Sequence, residues 1–88
     1  GKDPETAATL NNLASALLAE GELVEAEALQ RRARRMLVGA LGVGHVRTAL
    51  ATSNLADIVL ARGRKVEARG FYREAWEVFR VKLGEEHE

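Results

Sequence analysis

Residues 6–33, TAATLNNLASALLAEGELVEAEALQRRA, return 42 positions later as residues 48–75, TALATSNLADIVLARGRKVEARGFYREA. Thr6-Ala7 falls on Thr48-Ala49, Asn12-Leu13-Ala14 on Asn54-Leu55-Ala56, and Gly21 on Gly63. The echo continues beyond that stretch, where Leu41-Gly42 meets Leu83-Gly84 and His45 meets His87. In all, 16 of the 46 comparable positions are identical, well above chance. A fixed period of this size marks a repeat architecture, in which each unit buries its apolar face against its neighbours. The repeat therefore decides the fold before any residue-level chemistry, and it steers function toward binding and away from catalysis.

Within each copy the spacing predicts two helices. Asp3-Pro4-Glu5 is a compact helix start: Asp caps free amides, Pro suits the first helical position, and Glu complements the positive end of the dipole. Ala7, Leu10, Leu13, Ala14, Leu17 and Leu18 then follow at spacings of three and four, which make one helical stripe. Gly21 stands where a left-handed residue would end this helix. A second helix is expected from about 22 to 41, with Leu23, Ala26, Leu29, Ala33, Met36 and Leu37 inward and Gly42 at its end. The second copy repeats the plan, with helices over about 46–62 and 64–83 ended by Gly63 and Gly84. Short connections within each pair force antiparallel neighbours. Ala14, Ala26, Ala33, Ala56, Ala68 and Ala75 supply the small side chains that let paired helices approach closely.

The expected fold is thus all-α, two tandem helix–turn–helix repeats forming a short solenoid of four antiparallel helices. One domain spans residues 1–88, with repeat one at 1–42 and repeat two at 43–84. Residues 85–88 are a tail or the start of a further repeat.

Composition bounds the rest. Aromatic residues make up only 5% of the 88, so the core is built from Leu, Ala and Val. The absence of cysteine excludes disulfides and thiolate metal sites. No apolar run approaches the roughly 20 residues needed to cross a bilayer, so no membrane association is expected, and the chain reads as a cytoplasmic protein or a piece of one. The zero net charge hides a layout of an acidic segment over 1–30, a basic one over 31–73 and an acidic one over 74–88. Such blocks are ordinary solvated helix faces, or they order neighbours in a stack or steer an acidic partner.

At these residues the chain resembles the tetratricopeptide repeat, a helix–turn–helix unit that stacks into a right-handed superhelix. The matches are Leu10, Leu13, Ala14, Leu17, Gly21, Ala26 and Ala33, then Leu55, Ala56, Val59, Gly63, Ala68, Tyr72 and Ala75. The 42-residue period, the string Thr9-Leu10-Asn11-Asn12-Leu13-Ala14 and the Leu41-Gly42-x-x-His45 joint look like the kinesin-light-chain subtype. Gln30, Thr52 and Lys65 depart from the pattern, since large apolar or aromatic residues are usual there. Val46 stands where that subtype has proline, and Val43-Gly44 where it has an acid or proline.

No nucleophile–base constellation is present, so the chain is not expected to be an enzyme. His45 and His87 share one register of the repeat joint, and a whole repeat between them makes a poor metal site; the joint's geometry explains both as packing and capping residues. No metal and no cofactor is expected. Four arginines within 31–35 would bind phosphates in a nucleic-acid reading. They point around most of a helix, however, and lack interleaved aromatics to stack on bases. A solvated face, with Glu27 pairing to Arg31 one turn away, is the simpler expectation, and nucleic acid is not an expected partner.

What the resemblance implies for binding is a groove lined by the first helix of each unit. Carried onto this sequence, its positions include Asn11, Asn12, Ser15 and Leu18, then Ser53, Asn54 and Asp57, flanked by Ala8 and Ala19 and by Leu50, Leu60 and Ala61. Asn12 and Asn54 form a ladder of amides that bonds both donors and acceptors of an extended peptide, unless they bond locally within their own helices. The slots that would carry lysine or arginine to clamp a C-terminal carboxylate hold neutral residues and Asp57. The expected partner is a protein or peptide. The alternative is a self-assembly unit that forms homo-oligomers through uncapped ends, its outer face at Val59, Trp76 and Phe79 partly exposed.

Overall fold

The computed structural model describes residues 4–86 as four helices: α1 Pro4–Ala19, α2 Leu23–Leu41, α3 Val46–Ala61 and α4 Lys65–Glu86. No strand occurs among the described residues. Pro4 opens α1, where its fixed φ suits a helix start; Asp3, the expected cap, lies outside the described residues.

The two turns within the pairs are built alike. After α1 the amide of Glu22 donates to the carbonyl of Leu17 at 2.9 Å, and that of Gly21 to Leu18 at 3.0 Å. After α3 the amide of Arg64 donates to Val59 at 3.1 Å, and that of Gly63 to Leu60 at 2.9 Å. This nested pair of bonds satisfies the last carbonyls of a helix and needs a left-handed residue at its centre. Gly21 and Gly63 supply it with φ of 82° and 88°. Gly42, with φ 88°, ends α2 and donates to the Val38 carbonyl at 3.0 Å. Beyond it, Nδ1 of His45 accepts the Arg47 amide at 3.0 Å and caps α3.

Gly84 does not end a helix: α4 runs through it to Glu86. Glycine permits the left-handed conformation without imposing it. At Gly21, Gly42 and Gly63 the chain folds back onto a helix that holds the turn in place, and no described helix follows Gly84.

Packing follows the small residues. Ala14, Ala26, Ala33, Ala56, Ala68 and Ala75 are all buried, so α1 lies against α2 and α3 against α4 at close range. The pairs join where α3 packs on α2, with a smaller contact to α1. One core cluster unites Ala7, Ala33, Met36 and Leu37 with Ala51 of the second pair. Another unites Ala14 and Ala26 with Ile58. A third, Leu55, Val59 and Ala68 with Phe71 and Tyr72 against it, lies within the second pair. Val59, expected on the open face, is therefore fully buried. Trp76 is exposed and Phe79 half-buried, because they lie on the side of α4 turned away from α3's core residues.

Candidate functional site

On α1, Ala8, Asn12, Ser15 and Ala19 succeed one another at steps of four, three and four, which places them on one face. On α3, Leu50, Asn54, Asp57 and Ala61 repeat that pattern 42 residues later. Asn12 and Ser15 are exposed, as are Leu50 and Asp57, while Asn54 is half-buried. Neither Asn12 nor Asn54 bonds another group among the described residues. Both amides thus keep their donors and acceptors for a ligand. Leu18 is half-buried against the Ala14–Ala26–Ile58 cluster, so it supports the strip from beneath.

Asp57 is engaged from within. Tyr72 of α4 donates its hydroxyl to Oδ1 of Asp57 at 2.5 Å. That bond to a carboxylate, with some burial, pushes the phenol up to about 12.

Asn11 and Ser53, one residue earlier in each helix, face elsewhere. Gln30 of α2 is fully buried and donates Nε2 to Oδ1 of Asn11. The same nitrogen reaches the Ala51 carbonyl of α3 at 3.1 Å. Asn11 therefore braces the scaffold at the junction of three helices. Ser53 lines an open groove on the other side of α3.

The arginine cluster is divided between solvent and the joint. Arg32 and Arg35 are exposed. Arg34, however, donates Nε to Oγ1 of Thr52 at 2.8 Å and Nη2 to Glu74 at 2.5 Å, crossing from α2 to both helices of the second pair. Arg31 donates to Glu27 at 2.8 Å and to Glu67 at 2.7 Å. Both guanidiniums lie over the Phe71 ring, at 5.6 and 5.5 Å from its centroid. The face expected to be solvated is thus half an interface. Glu27, buried on α2, also accepts Arg62 at 2.7 Å, together with Arg64. Burial alone would raise its carboxyl, but hydrogen bonds from Arg64, Arg31 and Arg62 outweigh it and bring Glu27 to about 2.

Sequence reasoning paired Glu27 with Arg31, as the structure shows, and marked Gln30 as a departure from the pattern, but it missed the part that Glu27, Gln30 and Arg34 play in the joint between the pairs. Their signal was present: three polar residues at steps of three and four in the inward phase of α2, between Ala26 and Ala33 and beside Leu37.

A second concavity opens between α3 and α4. It holds about 490 Å³ and is lined by Ser53, Arg69, Tyr72, Arg73, Ala75, Trp76 and Phe79. Its walls are apolar apart from the arginine edge. Arg80 lies over the outer Trp76 ring at 5.7 Å.

Among the described residues, no group of three or more His, Cys, Asp and Glu side chains is placed to hold a metal ion. His45 serves as the α3 cap, and His87 lies outside the described residues. No described helix is long and apolar enough to cross a membrane.

A family model described as tetratricopeptide repeat matches residues 5–80. No curated protein matches the chain.

Proposed function

The chain belongs to the tetratricopeptide repeat family, whose members generally mediate protein–protein interactions and are typically non-catalytic, and from that premise we infer that the α1–α3 strip docks an extended peptide segment of another protein. The observation that carries this reading is the pair Asn12 and Asn54. They stand at one register of successive first helices, and neither amide is consumed among the described residues. A side-chain amide offers a donor and an acceptor together, which matches the alternating groups of an extended backbone. Leu50 and Leu60, 50% and 44% exposed on α3, offer apolar contacts beside that ladder.

Asn12, Ser15 and Asn54 carry no charge, and Asp57 is acidic. A free C-terminal carboxylate is therefore a poor ligand for this strip, and an internal segment without an acidic anchor is the better one. The role is recognition without chemistry. The 42-residue period and the TLNNLA string favour a kinesin-light-chain-like member acting in the cytoplasm.

The test is a double substitution, Asn12→Ala with Asn54→Ala, assayed against an array of extended peptides and by capture from lysate. The expected result is loss of the peptides and proteins held by the wild type, with an unchanged circular-dichroism melt. A bound set identical to the wild type's would sink the strip as the binding site.

A further inference from the structure

Residues 42 apart occupy the same place in the two helix pairs, so the α2–α3 joint shows what the matching surface of α4 is shaped to receive. On α2, Gln30, Ala33, Arg34 and Leu37 seat α3: Gln30 bonds the Ala51 carbonyl, Arg34 bonds Thr52, and Ala33 and Leu37 pack with Ala51. Their counterparts on α4 are Tyr72, Ala75, Trp76 and Phe79. These four line the open groove of about 490 Å³, where Trp76 is 58% exposed. The seat has been built twice, and among the described residues its second copy holds no helix.

The piece that fits it is also present. α3 enters the first seat with Ala51 and Ile58, neither more than 1% exposed. The same positions on α1 are Thr9 and Ala16, both exposed. Among the described helices, α4 presents an open socket and α1 bears the matching face.

Charge decides the occupant. In the internal joint, acidic Glu27 of α2 holds Arg62 and Arg64 from the end of α3 and the following turn. At the vacant seat Arg69 takes the place of Glu27, and the residues in the places of Arg62 and Arg64 are Glu20 and Glu22 of the α1–α2 turn. The sign is inverted on both sides at once. The Arg31–Glu67 bridge has its counterpart in Arg73 and Glu25, with the sign kept. The polar Arg34–Thr52 contact becomes Trp76 against Leu10, apolar on both sides. Among the described residues, Arg69, Arg73, Glu20, Glu22 and Glu25 make no salt bridge. Two arginines at one end and three glutamates at the other are left for each other.

We propose that the chain self-associates head to tail, with α1 and the α1–α2 turn of one copy seated on the α3–α4 groove of the next, in the register of its own internal joint. Such a contact joins two different surfaces, so each added copy leaves both ends open and the array grows as a superhelix. It uses neither Asn12 nor Asn54, and failure of the peptide strip leaves it standing.

Sedimentation velocity and light scattering of the 88-residue chain across concentration provide the test. The expected result is a mass that climbs past the monomer with concentration and falls back as salt is raised, because the bridging charges are exposed. Two charge-reversed variants sharpen it: R69E/R73E, and E20R/E22R/E25R. Each alone carries like charges on both mating surfaces and stays monomeric. Mixed, they associate, because each supplies the surface the other lacks. All five positions are exposed, and matching circular-dichroism melts check that both variants fold. A wild type that stays monomeric to about 1 mM overturns the proposal and leaves the seat to a different partner. Self-association of R69E/R73E at the wild-type level overturns the register, and the proposal with it.

Discussion

Arg62 caps α3 and points its Nη1 at Oε1 of Glu27 on α2, 2.7 Å away. The first residue of one helix pair's turn is thereby fastened to the second helix of the other pair. Arg64 and Arg31 converge on the same carboxylate, which depresses its pKa from 4.5 to about 2. A carboxyl depressed on folding stabilises the native state above its unfolded pKa and loses that contribution as pH falls toward the folded one. The unfolding free energy should therefore drop between about pH 5 and pH 2, by on the order of 1–3 kcal/mol from this group. Glu27→Gln should be less stable at pH 7 and should flatten that part of the profile. Chemical denaturation at stepped pH measures both, and an unchanged acid slope in the variant would show that the convergence carries no linkage.

Two glycines of the second pair should respond to alanine in opposite directions. Gly63 sits at φ 88°, and a Cβ there meets nothing within 4 Å. Its penalty is purely conformational, about 1–2 kcal/mol for a left-handed residue. Gly70 lies inside α4 with ordinary helical backbone and the same open space. Gly70→Ala should stabilise by about 0.5–1 kcal/mol, since glycine in a helix interior loses more backbone freedom on folding. Thermal melts of the two variants, read against the wild type, should move apart in sign.

These glycines also show what the sequence carried and what it did not. Helix ends at Gly21, Gly42 and Gly63 and the alanine contacts were readable because they depend on local backbone and on helical spacing. Gly84 shares the register of Gly42 yet stays helical, since register states what a residue permits and a neighbouring helix decides what is required. The same limit explains Arg31 and Arg34. Their helix was readable, but which of its faces meets α3 and α4 depends on partners 18 to 40 residues away. That Asn12 and Asn54 stand at one phase of successive helices was legible from the repeat itself, whereas a groove at that phase was implied only by the family resemblance. The fate of Asn11 was not legible, because it turns on a buried glutamine from another helix.

Asn11 and Asn12 adjoin in sequence and should separate cleanly by experiment. Asn11→Ala removes the acceptor of a buried Gln30 amide and leaves that side chain with the Ala51 carbonyl alone. Gln30 Oε1 already lacks a partner, so the loss should cost about 1–2 kcal/mol. Asn12→Ala touches no partner among the described residues, and its stability should stay within about 0.5 kcal/mol of the wild type. Urea unfolding distinguishes them. Equal destabilisation by both would mean that Asn12 also braces the scaffold, and it would weaken the case for the strip.

Tyr72 is the only tyrosine in the chain, so its titration can be followed by tyrosinate absorbance without assignment. In the folded protein the Asp57 carboxylate accepts the phenol proton's hydrogen bond and resists the second negative charge, which holds the group at about 12. A phenol raised on folding stabilises the native state below its unfolded pKa near 10, and that contribution fades as pH climbs toward the folded value. Asp57→Asn removes the charge and should bring the absorbance midpoint down toward 10. Because Asp57 lies on the proposed peptide strip, a ligand that draws its carboxylate away from Tyr72 should lower the midpoint in the same direction. A midpoint indifferent to both Asp57→Asn and bound peptide would mean that the Tyr72–Asp57 bond does not persist in solution.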